Sequence, residues 1–150
     1  MTIYFAKASL GVVQYCDNLT DQILFSFDHQ SKIVCFEIDG ASIVIPCHSL
    51  ETAEIVDNLS PFTLNSNYDD EKDILTVKFI NSIDSKEEST DYDNVHLLYD
   101  SNEKLVGMIF RNARGMIAKT LSDEEAAELS NRILKERKEL TKWFRSKRFE

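Results

Sequence analysis

The residues able to do chemistry are few and scattered. Cys47-His48 is the one adjacent thiol–imidazole pair. Neighbours on an extended chain point to opposite faces, which makes them a poor nucleophile and base. Cys16, Cys35, Cys47 and His48 lack the short paired spacings of structural zinc sites, so neither a metal nor another cofactor is expected. Cys35 lies in an apolar run and reads as a buried thiol. The acidic clusters, Asp69-Asp70-Glu71 with Asp73 and Glu87-Glu88 with Asp91 and Asp93, do not follow the EF-hand pattern and read as solvated turns. Four glycines leave no phosphate-cradling loop and no Gly-x-Ser-x-Gly elbow. No catalytic residue is assigned, and the chain reads as a non-enzyme. Were there a small-ligand or enzymatic cleft, Glu37, Cys47 and His48 would be its candidates.

Charge is distributed more informatively. The formal net charge of −9 argues against a general nucleic-acid coat. Residues 1–120 hold nine bases and nineteen acids, whereas 132–148 hold eight bases and two acids. Such a tail is a solvated helical face, a nuclear localisation signal, a nucleic-acid contact or a protein-binding helix. Leu140, Trp143, Phe144, Arg145, Lys147 and Arg148 favour the last, because aromatic residues and Arg are enriched at interface hot spots.

The elements that position these residues follow from periodicity. Leu75, Val77 and Phe79 alternate with Thr76 and Lys78; Val95, Leu97 and Tyr99 alternate likewise. Asp100-Ser101-Asn102-Glu103 then turns the chain into the apolar run from Leu105, predicting a β-hairpin. Ser82 to Tyr92, rich in acid, reads as a loop or an exposed edge strand. A first helix is expected from about Leu50 to Leu59, capped by Ser49 and stopped by Pro61. The best-signalled element is a helix from Leu121 to about Ser146. Ser122-Asp123-Glu124-Glu125 is a capping box, acids fill its first turn and bases its last. Ala126, Leu129, Ile133, Leu140 and Phe144 form its apolar stripe, and a short sheet would leave the distal part uncovered.

The stretch 68–113 resembles the family catalogued as domain of unknown function 2283. Tyr68, Asp69, Asp73, Leu75 and Val77 match its opening, and Val106, Gly107, Asn112 and Ala113 its close. The family's Glu falls on Ile109, a departure. The resemblance implies no activity. A second, diverged copy is read at residues 4–45. Asp21 to Ser42 aligns with Asp93 to Arg114 at an offset of 72, with five identities, and Leu10 to Asp17 is aligned with Ile74 to Asn81 at an offset of 64.

These readings predict an α+β fold. It is a tandem duplication of a small antiparallel β-meander plus helix, pseudo-two-fold, with a long C-terminal helix. The units would be 1–60 and 68–150, joined by 61–67. The expected function is a non-catalytic interaction module, an adaptor or subunit of a larger assembly. It would bind a protein partner through the C-terminal helix or an open sheet edge, with a homo-oligomer left open. Ligand binding in a cleft between the repeats and a nucleic-acid role of the basic tail are the alternatives. No secretory leader or membrane span is visible, so an intracellular protein, cytoplasmic or nuclear, is expected.

Overall fold

The computed structural model describes residues 1–47, 63–81 and 84–147. The helix expected between Leu50 and Leu59, its cap Ser49, and the site residues His48 and Arg148 lie outside the described residues. The architecture is α+β, with two antiparallel sheets and a long C-terminal helix. The first sheet contains β1 (Thr2–Tyr4), β2 (Tyr15–Thr20), β3 (Ile23–Phe27) and β4 (Ile33–Ile38), in the order β1-β4-β3-β2. A single helical turn, α1 (Ala41–Val44), follows.

The second sheet contains β5 (Asn65–Asp69), β6 (Ile74–Lys78), β7 (Lys86–Ser89), β8 (Val95–Tyr99) and β9 (Leu105–Arg111), in the order β5-β6-β9-β8-β7. Helical turn α2 (Ala113–Met116) and helix α3 (Asp123–Lys147) complete the chain. β5 takes in Asn65 to Asn67, which sequence pattern had left in the joint. β7 is the expected acidic edge strand, exposed at all four residues.

In the second sheet the register sets one apolar face. Val77 and Leu97 flank Met108, and Leu75 and Val95 flank Phe110. Alternation at period two thus puts Leu75, Val77, Val95 and Leu97 on the same side, and the register shifts at Tyr99. Gly107 sits where strands close tightly: a Cβ there would stand 2.6 Å from the Val77 carbonyl oxygen. On the other face Glu87 accepts from His96 Nδ1 at 2.9 Å and from Arg111 at 2.7 Å, which clips β7 onto the sheet.

The two sheets share a plan. In each, a three-strand meander (β2-β3-β4, β7-β8-β9) carries an earlier strand on its last member: β1 on β4, β6 on β9. The hairpin turns agree bond for bond. Asp28 N–H donates to the Lys32 carbonyl at 2.9 Å, and Asp100 N–H to that of Lys104 at 2.9 Å. Asp28 Oδ1 accepts from the amides of Gln30 and Lys32, and Asp100 Oδ1 from those of Asn102 and Lys104. Ser31 and Glu103 both have φ 59°. Gly40 and Asn112, at φ 59° and 53°, open α1 and α2, and each carbonyl accepts the same two amide bonds. Strand order and turn geometry at an offset of 72 are therefore consistent with a duplication. The offset of 64 does not hold. Phe5 N–H donates to the Val34 carbonyl at 2.8 Å as Phe79 N–H does to that of Val106 at 2.9 Å. β1, not Leu10 to Asp17, holds the place beside β4 that β6 holds beside β9.

The chain divides into two compact units. One takes Met1, Asn18–Leu24 and Glu37–Met116; the other takes Thr2–Asp17, Phe25–Phe36 and Ile117–Glu150. The first is centred on the second sheet, with Phe79, Val95, Leu105, Met108 and Phe110 fully buried. The other has an aromatic cluster. Phe25 meets Phe27 and Phe36 edge-on at 6.1 and 6.4 Å between centroids, an arrangement that suits ring quadrupoles. Ala6, Val12, Val34 and Ala118 form a second apolar knot in this unit, against which Leu121 and Leu129 pack.

Candidate interaction surface

The candidate surface lies on α3. Its start is fixed as the capping box requires: Glu125 N–H donates to Ser122 Oγ at 3.2 Å, and Ser122 N–H to Glu125 Oε2 at 2.9 Å. The backbone amide of Ser122 holds the Glu125 carboxyl below its usual range. Asp123, Glu124 and Glu125 fill the first turn, and Arg145 and Lys147 the last. The helix has 25 residues, about 37 Å at 1.5 Å per residue. Leu121, just ahead of the cap, packs against the Ala6–Val12–Val34–Ala118 knot.

The proximal stripe has a seat. Gly11, at φ +84°, lies so close under α3 that a Cβ on it would stand 2.6 Å from Ile133 Cγ1 and 3.5 Å from Leu129 Cγ. Ala126, Leu129, Ser130 and Ile133 are half-buried there; from Leu134 to Lys147 every residue is exposed. Leu140 is 56% exposed, Trp143 54% and Phe144 61%. Trp143 and Phe144 meet edge-on at 5.0 Å, which keeps the two rings on adjoining parts of the helix surface. Of the sequence-derived site residues, Leu140, Trp143, Phe144, Arg145 and Lys147 thus share one exposed segment.

At about 100° per residue, helical geometry sorts these side chains further. Leu140 and Phe144 continue the line of Ala126, Leu129 and Ile133, with Trp143 beside them. Glu136, Glu139, Leu140 and Trp143 border one shallow groove. Leu134, Arg137, Lys138, Thr141, Lys142 and Arg145 border another. Lys135, Lys138, Lys142 and Arg145 lie about 140–160° round the helix from Leu140, on the back of the stripe. The charges beside the stripe are Glu136, Glu139, Arg137 and Lys147, of both signs. Leu134, exposed on the basic side, was missed in the sequence because it falls outside the stripe.

The family-like residues do different work. Tyr68 OH donates to Asp73 Oδ1 at 2.8 Å, and Arg114 N–H donates to the same oxygen at 3.1 Å. Ala113 N–H donates to the Asp73 carbonyl at 3.1 Å. Asp73 has φ 53°, and the Arg114 guanidinium stacks over Tyr68 and pairs with Asp70. Burial and the bond to Asp73 push the Tyr68 phenol up. These residues tie the β5–β6 turn to the start of α2.

Residues 65–114 match the family model described as "Protein of unknown function (DUF2283)". No curated protein and no solved structure matches the chain. The matched segment runs from β5 to the start of α2 and contains the whole second sheet. Its motif is accounted for by the turn just described, by Gly107 under the Val77 carbonyl and by Asn112 in the left-handed region. Ile109, in place of the family's Glu, is half-buried between Thr76 and His96.

Of the remaining candidates, Cys47 and Glu37 are among the described residues. Cys47 is buried, and burial pushes its thiol up, which keeps the sulfur protonated and weakly nucleophilic. Glu37 is exposed on β4. Among the described residues no three His, Cys, Asp or Glu side chains are grouped to hold a metal ion. No helix among them is long and apolar enough to cross a membrane.

Proposed function

We propose that this protein is a non-catalytic interaction module, an adaptor or subunit of a larger intracellular assembly, and that the distal half of α3 is the surface its protein partner covers. The observation that carries the reading is the apolar stripe of α3: seated against Gly11 as far as Ile133, it continues through Leu140, Trp143 and Phe144, each of them more than half exposed. Contiguous exposed apolar surface marks interaction sites on water-facing proteins, and Trp is the residue type most enriched at their energetic centres.

The test is Trp143→Ala with Phe144→Ala, read by circular dichroism and by capture of native partners on the same preparation. The expected outcome is an unchanged helix content and lost binding. Unfolding would assign both rings to the core. A folded double variant that retains every partner would move the interface elsewhere, to an open sheet edge.

A further inference from the structure

We infer that the partner covering the distal stripe of α3 is a second copy of the same helix, laid antiparallel. This deepens the proposed interaction role and rests on it. Ile133, Glu136, Leu140, Trp143 and Lys147 advance by alternate steps of three and four, the spacing of a two-helix seam. All five lie within about 60° of Leu140 round the helix. Two of the five are charged, with opposite signs, and they stand on either side of the Leu140–Trp143 pair.

That order is self-complementary in one orientation only. In an antiparallel pair, Leu140 meets Trp143 of the second copy, and Trp143 meets the second copy's Leu140. The next layer out on each side then sets Glu136 against Lys147 of the other helix. On one flank Arg137 comes level with Phe144 of the second copy, within reach of a cation–π contact. The arrangement is isologous: each contact occurs twice about a two-fold axis, as in the commonest closed dimers. In a parallel pair, Glu136 would face Glu136 and Lys147 would face Lys147. An acidic partner would set its carboxylates beside Glu136 and Glu139. Four of the bases, Lys135, Lys138, Lys142 and Arg145, lie on the back, where water screens their mutual repulsion. A charged pair inside a short seam fixes register at some cost in affinity, so a weak, micromolar dimer is expected.

The experiment uses the full chain. Sedimentation of the wild type from about 1 to 500 μM gives the dimer constant, the micromolar range being the one the short seam implies. Emission from Trp143, the only tryptophan, reports its burial over the same range. Glu136→Lys sets Lys against Lys in both outer layers, and Lys147→Glu sets Glu against Glu. Each variant alone is expected to dimerise about tenfold more weakly. A one-to-one mixture of the two restores Glu–Lys in both layers and is expected to recover wild-type association. Circular dichroism on every sample confirms that the helix is intact. A wild type that stays monomeric with unshifted emission, or a mixture no tighter than its components, overturns the inference. If the wild type is monomeric while Trp143 and Phe144 are still required to bind another protein, self-pairing alone falls and the interaction reading stands.

Discussion

Gly11 is the position where one added methyl reports most about α3. The residue has φ +84°, and its missing Cβ would lie 2.6 Å from Ile133 Cγ1. Gly11→Ala therefore combines two penalties. An L-residue in left-handed backbone costs about 1–2 kcal/mol. Forcing a methyl against a packed side chain costs about 1–3 kcal/mol. Restriction of the unfolded chain by Ala returns about 0.4–1 kcal/mol. The net is a loss of about 1–4.5 kcal/mol, and for a chain of this size that lowers Tm by roughly 2–18 °C at ~2–4 °C per kcal/mol. Denaturant and thermal unfolding followed by circular dichroism measure it. Combining Gly11→Ala with Ile133→Ala removes the steric part and leaves the backbone part, so the two changes should be non-additive by about 1–2 kcal/mol in a double-mutant cycle. A Gly11→Ala variant within about 0.5 kcal/mol of wild type, the usual range for surface changes, would refute the close seating of α3. Additive single effects would place the strain in the loop alone.

Two further outcomes are expected. Asp73→Ala loses the acceptor shared by Tyr68 and the Arg114 amide, and with it the short polar side chain that lets an L-residue hold φ 53°, which together should destabilise by about 2–3 kcal/mol. Asp73→Asn keeps an acceptor oxygen and tolerates that backbone, so urea unfolding should show it losing under ~1 kcal/mol; equal losses would make the charge, not the geometry, responsible. For Glu125, the folded carboxyl is held below its usual range, so its contribution is present above the ordinary carboxylate range and is lost as pH falls through the folded value. Helix content should decline on that acid limb, and Glu125→Gln, whose amide also fits a capping box, should flatten it.

Much of this was legible in the sequence where the physics is local. The capping box at Ser122–Glu125, the hairpin turns at Asp28 and Asp100 and the alternation in β6 and β8 each depend on residues a few places apart. What depended on distant partners was not. β1 has three residues, too few for a period, and its place is set by bonds from Phe5 and Met1 to Val34 and Ile38. The segment Leu10 to Asp17 copied the pattern of β6 without sharing its pairing. α1 and α2 are single turns, shorter than any helical period can reveal. Gly11 carries no signal of its role in the sequence because Ile133, the neighbour that requires it, is remote in the chain. The basic tail was read by composition, as bases flanking the aromatic residues; helical angles set most of them on the opposite side.

The seat of α3 also orders events during synthesis. The apolar knot of Ala6, Val12 and Val34 is completed by Ala118, Leu121 and Leu129, and the same unit draws its segments from Thr2–Asp17, from Phe25–Phe36 and from Ile117 onward. A ribosome adding 5–20 residues per second makes the ~80 residues between them in roughly 4–16 s. Through that interval the early half of the knot stands without its cover, while the second sheet, whose strands all lie in the intervening stretch, is free to form. The nascent chain thus carries its own sticky patch for seconds, and the arrival of α3 ends that exposure.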